Sequence, residues 1–576
     1  MGATHVGEAP MNTRLRLMAP VTALLATLVS TASATEWTVC ASGCDFATIQ
    51  DAVSASVTGD SIAVKAGTYT GSGPAVVDIG SKGLIINAND GPSATFIDGQ
   101  SARTCLYVHP SGGNESTIKG FTFVNGVATT GGRGGGVHIE SASPIIRNCI
   151  FQNNQADDGG GLHIEGTSSP ALDNCQFLNN HANVNGGGAF NRSSDAVTFT
   201  DCDFDGNEAT IGGGGGLHFT DLTSGSVNHS RFNLNQSALG GGGVFLGSNT
   251  VVAFTLCDFL SNQSGDHGGG VYTNSHETSF DQCIFKANIA ANVGGGLYVY
   301  GGLLVTVNQC SFNTNSAHWG GGIGNYTSSP TITTCHFFAN QATNGGAIHN
   351  HKALPFLDDC SITGNQAHLG AAGYDLDSDP HFNNCLIEGN QANDGGAFYE
   401  YQSRAFFALC TIQSNTAAGS GGGMYVSTGM WAPRISASLF RDNAASTDGG
   451  AIESDSTDVV VIDNTRFCGN TTDHISVGTL YTTDAFTYFL DDCPDCIGDA
   501  TGDWVVDIED FSVLLVEFGG TGDLASDHDG DGDVDVSDFS ELLIHFGEDC
   551  WDESPLRSAP KQSPKQDTKI RGGRRS

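Results

Sequence analysis

Apolar and polar residues alternate through most of this chain in short stretches of strand length, and few segments carry helical periodicity. The clearest unit reads Cys-x-Phe-x-x-Asn-x-Ala, a few polar residues, Gly-Gly-Gly or Gly-Gly-Ala, then an aliphatic and often an aromatic. Residues 149–162 (CIFQNNQADDGGGL) and 283–297 (CIFKANIAANVGGGL) are two copies. Cys and Phe stand two apart, so on a strand they share a face. The following strand behaves alike: Val137 and Ile139, Leu162 and Ile164, and Leu297 and Val299 share one side. An asparagine marks the unit thirteen times from Asn154 to Asn470, at intervals of 25 to 28 residues. A period of that length is the mark of a solenoid.

Strands this short bury their apolar face only against the coils above and below, which predicts parallel in-register stacking at about 4.8 Å per coil and a rod on the order of 70 Å long. A propeller is disfavoured because its blades need about 40 residues and four strands. Glycine runs such as 159–161, 212–216 and 294–296 mark the turns. The recurrent asparagine suits a side-chain amide ladder and tolerates left-handed backbone.

Ten cysteines fall in one repeat slot, from Cys149 to Cys410, and Ser230, Ser438 and Thr465 fill the same slot elsewhere. The position therefore demands a small side chain. Stacked parallel side chains point the same way rather than at each other, so these thiols are expected to act as small buried hydrophobes. The residue after each glycine run and its aliphatic faces outward by alternation, and it is repeatedly aromatic or histidine: His138, His163, Phe190, His218, Phe245, Tyr272, Tyr298, Gly324, His349, Tyr374, Tyr399, Tyr425. Tyr300, Tyr326, His351 and Tyr401 begin a second column two residues on. Such rings stabilise neighbouring strands. They also make Tyr272, Tyr298, Tyr300, Tyr326, Tyr399, Tyr401 and Tyr425 candidate ligand-binding residues along a ring-lined stripe.

The paired elements FxxN and GGA[ILV], as in Phe337 to Asn340 with Gly345-Gly346-Ala347-Ile348, resemble the repeats of the polymorphic outer-membrane protein family over roughly residues 121–470. That resemblance implies a right-handed parallel β-helix of the pectin-lyase-like class and a surface role in adhesion. The membrane barrel of that family is not recognisable here, so autotransport is not expected. Residues 46–69 resemble the N-terminal cap of pectin-lyase-like proteins, with Ile49, Ala52 and Val53 on one side of a short helix ahead of a strand at 62–64. Cys40 and Cys44 are expected to bridge locally before it.

Residues 499–510 (DATGDWVVDIED) and 527–538 (DHDGDGDVDVSD) are two copies of one loop offset by 28 residues, each followed by a helix-like segment at 511–518 or 539–546. Oxygen donors at loop positions 1, 3, 5, 7, 9 and 12 match EF-hand spacing for a hard cation. They are Asp499, Thr501, Asp503, the Val505 carbonyl, Asp507 and Asp510 in the first loop. In the second they are Asp527, Asp529, Asp531, the Asp533 carbonyl, Asp535 and Asp538. The doubled loop-helix unit with Asp at position 12 resembles type I dockerin modules, implying two Ca²⁺ sites and a cohesin-type partner. Trp504, where the turn glycine usually stands, departs from that pattern and weakens the first loop. Either Cys493 or Cys496, with Cys496 preferred, is expected to pair with Cys550 and clip the module, adding roughly 3–4 kcal/mol.

Five segments result: a signal peptide at 1–34 with Met11 as the expected start, a cap and first coil at 35–70, β-helix repeats at 71–492, the calcium module at 493–550, and a disordered basic tail at 551–576. The overall class is all-β with a small α-helical appendage. The signal assignment rests on Arg14 and Arg16, an apolar run at 17–29 and small residues Ala32-Ser33-Ala34. The run is too short to span a bilayer, and no later stretch is long enough. A secreted or surface-attached protein is expected. Net charge is −39, which argues against nucleic acid and for cations.

An enzyme of the polysaccharide lyase or glycoside hydrolase type needs a base beside carboxylates, or two carboxylates across the scissile bond. Asp157-Asp158, Asp266-His267, Asp358-Asp359 and the trio Asp375, Asp377, Asp379 are the acidic candidates. None aligns with a partner in the sequence, so all read as solvated turn residues and no catalytic residue is assigned. The preferred reading is a non-enzymatic adhesin or glycan- or protein-binding rod, held through the calcium module; the alternative is a pectate-lyase-like enzyme of polysaccharide breakdown.

Overall fold

The computed structural model describes residues 34–490 apart from 110–114, 129–131, 221, 276, 303, 428, 430 and 477–478, together with residues 493, 508–518, 534, 538–539 and 542–543. One coil shows how the chain winds. Strand Ile145–Arg147 turns at Asn148, continues as Ile150–Gln152, turns again at Asn153 and runs on as Gln155–Asp158. It crosses the glycine run and returns as Leu162–Gly166 before the next coil opens at Ala171–Asp173.

Each strand pairs in parallel with its counterpart one coil away: Ile146 opposes Leu172, Phe151 opposes Phe177, and Ile164 opposes Asn191. The result is a parallel β-helix with three long sheets, one of 18 and one of 15 strands, and a shorter sheet at the glycine corner. The inward residues of the long sheets form one continuous apolar column from Val39 to Phe467. Phe151, Phe177 and Phe204 are fully buried, and their rings stack at 4.4 and 4.5 Å. The helix Ile49–Ala55, capped by the Thr48 hydroxyl, packs Ile49, Ala52 and Val53 onto the end of this column.

The asparagines form the ladder expected of them. Asn180 Nδ2 donates to Asn207 Oδ1 at 2.9 Å and to the Phe151 carbonyl at 2.8 Å, and the pattern repeats along the stack. The left-handed backbone, however, belongs to the residue before: Asn153, Asn179, Leu234 and Thr314 have φ near +50°. The ladder asparagine joins the stack through both its side-chain amide and its backbone N–H, as Asn180 does toward Asn207 Oδ1. The cysteines sit at the corner between the first two strands rather than within a strand. Every one of the column is buried and unoxidised.

Cys40 and Cys44 are bridged. Cys493 is joined to Cys468, so its pairing with Cys550 is overturned: the corner at Gly469 brings Cys493 beside the last coils instead. Cys496 and Cys550 lie outside the described residues. A second, small cluster gathers Leu514, Val534 and Leu542 with Phe511 and Phe539 around the helix Ile508–Glu517. Among the described residues, no helix is long and apolar enough to cross a membrane.

Candidate functional site

The outward column on the strand after the glycine run is built ring upon ring. Phe245 lies 4.6 Å from Tyr272, Tyr374 5.3 Å from Tyr399, and Tyr399 5.1 Å from Tyr425. Stacking closes these rings against one another, so Phe190, Tyr298, His349 and Tyr374 are buried although they point away from the core. The long ring-lined stripe expected from alternation is therefore interrupted: Tyr298, His349 and Tyr374 are buried, whereas Phe245, Tyr272, Tyr399 and Tyr425 are half-buried.

The ladder breaks at Gly324. A Cβ there would meet Val293 Cγ1 at 2.3 Å, so no larger residue fits without moving that side chain. The missing ring leaves a surface cavity of about 430 Å³. Its walls are His267, Val293, Tyr298, Tyr300, Trp319, Asn325, Tyr326, His349, His351 and Leu376. Trp319 ends the strand Ser316–Trp319 ahead of the glycine run and takes the place of the absent ring, 4.9 Å from His349 and 5.8 Å from Tyr374. Tyr300 and Tyr326 stack at 5.5 Å along the outer edge, and Tyr326 meets His351 at 4.6 Å. Burial drives His349 down to about 3 and also lowers His267, so both rings are neutral at physiological pH. Nδ1 of each is buried without a hydrogen-bond partner among the described residues. The cavity thus presents mainly aromatic surface, which suits a ligand with a flat apolar face.

Of the seven candidate tyrosines, Tyr298, Tyr300 and Tyr326 line this cavity. Tyr272 is spent in the ladder between Phe245 and Tyr298. Tyr399 and Tyr425 continue the ladder further along, with the Tyr425 hydroxyl donating to Asp455. Tyr401 pairs in register with Leu376. Trp319 and His267 were missed as wall residues because the segment ahead of the glycine run looks merely polar in the sequence, whereas both pair there with the neighbouring coils.

A second cavity, of about 360 Å³, lies at the next corner, where His351 and Leu376 of the first lead into Lys352 and Asp377. Asp379, Gln402, Arg404, Leu354 and Trp431 complete it. Arg404 spans it, 3.2 Å from Asp379 and 4.2 Å above the Trp431 ring. Cationic groups therefore do stand beside Asp377 and Asp379, contrary to the sequence expectation of isolated turn residues.

Asp375 is corrected more sharply, because it is fully buried inside the column. Asn325 donates to Asn350 at 2.8 Å, Asn350 donates to Asp375 at 2.6 Å, and Asp375 stands in register with the equally buried Glu400, neither of whose carboxyl oxygens has a hydrogen-bond partner among the described residues. Burial raises Asp375 to about 6 and Glu400 well above its usual range. The remaining acidic candidates hold neighbouring turns: Asp157 accepts from Asn183, Asp266 from Asn292 and Asp359 from Asn384. Of the twelve expected calcium-binding residues, Asp538 is described and buried, and the helix Ile508–Glu517 contains Asp510; the other ten lie outside the described residues.

Comparison with known proteins places the fold. No curated protein matches the chain significantly. Among solved structures, a pectin methylesterase from carrot is 12% identical with a TM-score of 0.20, covering 57% of this chain and 84% of its own. The catalytic unit of a thermostable α-1,3-glucanase from Streptomyces thermodiastaticus is 12% identical with a TM-score of 0.22, covering 77% of this chain and 65% of its own. The tailspike receptor-binding domain of Siphovirus 9NA is 11% identical with a TM-score of 0.17, covering 78% and 76%. Scores so low carry no weight on function. The family described as "Right handed beta helix region" matches residues 104–285 and 269–419, together more than half of the chain. The chain belongs to this right-handed β-helix family.

Proposed function

We propose that this protein is a secreted glycan-binding rod whose binding site is the aromatic cavity opened by Gly324. The cavity is the observation that carries the reading: the stacked Tyr300 and Tyr326 with Trp319 offer flat apolar faces to pyranose rings. The doubled acidic loop makes the C-terminal segment a dockerin-like module for two Ca²⁺ and a cohesin-type partner. Phe511 and Phe539 occupy equivalent positions of the two copies, as do Leu514 and Leu542, and all four share one cluster, which supports a duplicated unit.

Binding to a panel of immobilised polysaccharides tests the cavity. Tyr300→Ser with Tyr326→Ser is expected to weaken retention by roughly tenfold or more, each aromatic contact being worth about 1 kcal/mol. Equal retention by variant and parent would remove the cavity from the reading. A lyase or hydrolase remains the second reading, favoured by Arg404 and Lys352 beside Asp377 and Asp379. Release of oligosaccharide from a bound polymer, lost in Arg404→Ala, would establish it; binding without release rejects it.

A further inference from the structure

Several coils from the cavity, the same outward column carries two successive histidines, the first of them stacked on Tyr107. His138 on strand Val137–Glu140 pairs in register with His163 on Leu162–Gly166, and Glu165 stands two residues beyond His163. His138 Nε2 is 2.9 Å from Glu165 Oε1, and His163 Nε2 is 3.8 Å from Glu165 Oε2. All three donor atoms lie within 4.8 Å of one another.

The His163 side chain is fully buried, and its Nδ1 is 3.3 Å from the Asp158 carbonyl oxygen. That oxygen only accepts, so in the neutral ring the proton sits on Nδ1 and Nε2 carries a lone pair. Nε2 has no hydrogen-bond partner among the described residues, and the group it faces is a carboxylate oxygen. With the proton on Nδ1, two acceptors oppose each other across 3.8 Å in a water-poor place, an arrangement relieved by a cation between them or by a second proton on the ring. An Nδ1–H to carbonyl bond is also the outer contact that orients a metal-ligating histidine.

We propose that His138, His163 and Glu165 form a binding site for a divalent transition cation of the zinc type. Two imidazole nitrogens and one carboxylate oxygen are a zinc donor set that leaves a fourth position open. Tetrahedral donors ~2.1 Å from a common ion stand ~3.4 Å apart, so a pair of donors up to 4.8 Å apart must close by as much as ~1.4 Å when the ion enters. Arg133 competes for the site, its Nη1 lying 2.9 and 3.0 Å from the two Glu165 oxygens, while Arg192 stands 4.0 Å away. Arg133 is 40% exposed and free to swing into solvent when an ion enters.

The full chain, stripped with chelator and resupplied with calcium, is titrated with Co²⁺ and then with Zn²⁺. The parent is expected to develop the visible absorption of nitrogen-ligated Co²⁺, which Zn²⁺ abolishes. His138→Gln, at the partly exposed end of the set, is expected to weaken binding by at least roughly tenfold. Arg133→Ala is expected to bind more tightly than the parent. No visible band in either the parent or Arg133→Ala overturns the site, as does an identical titration of the parent and His138→Gln.

Discussion

Asn315 shows how one side chain is made to fit a dry interior. Its Nδ2 donates to the Phe285 carbonyl at 2.9 Å and to Asn340 Oδ1 at 3.0 Å, and its own Oδ1 accepts from the backbone and side chain of Asn288, both at 3.0 Å. An amide offers two donors and one double acceptor, and the stack uses them all, so burial leaves nothing unpaired. The Asn325–Asn350–Asp375–Glu400 run ends differently, on two carboxyl groups that must share a proton to hydrogen-bond. Both hold their protons more tightly in the folded chain than in an unfolded one, where carboxyls titrate near ~4. Their contribution is complete below that value and is lost as pH rises through about 6 and beyond. Glu400→Gln keeps a hydrogen-bonding partner for Asp375 without the second ionisable group. Its urea midpoint is expected to exceed the parent's at pH 8, with the difference vanishing near pH 4. A variant that is equally or less stable at pH 8 would contradict a shared proton.

Among the elements, the corner thiols and the ring ladder both follow from parallel stacking. Cys310 Sγ lies 3.2 Å from the Asn308 carbonyl, 3.5 Å from the Phe280 carbonyl and 3.3 Å from the backbone N–H of Cys283. A small group that both donates and accepts is what this corner needs, and Ser230 makes the corresponding bonds to the Asn228 carbonyl and the Cys202 N–H. Cys310→Ser is therefore expected to be tolerated, whereas Cys310→Leu overfills the corner and costs about 1–3 kcal/mol. Urea unfolding with both variants checks the pair; equal losses would mean that the thiol itself is required. The slot was legible in the sequence because serine and threonine substitute there in phase. The ring ladder was legible as a column but not as a partly buried one, since alternation gives direction and says nothing about how far neighbours cover each other. The same alternation that sets Tyr374 and Tyr399 outward sends Asp375 and Glu400 inward, a reading available in the sequence but masked by their charge.

Over the whole molecule, the apolar column runs uninterrupted from the cap helix to the last coils, so its ends matter more than any single coil. Removing residues 35–58 uncovers the first strands and the face that Ile49, Ala52 and Val53 close. The truncated chain is expected to self-associate with rising concentration in light scattering, while the parent does not; a monodisperse truncated chain would show that the helix is dispensable. The sequence by itself determined the repeat, the parallel stacking, the amide ladder and the small-residue corner, because each is a local pattern that the period simply copies. It did not determine the Cys468–Cys493 bridge, the cavity at Gly324, or the meeting of Arg404 with Asp379 and Trp431. Those arise where one coil departs from its neighbours, and a departure gains meaning only when the coils on either side, some 25 residues away in the chain, are laid against it. Stacking converts an absent side chain into a space and a distant segment into its wall, so that step belonged to the tertiary structure.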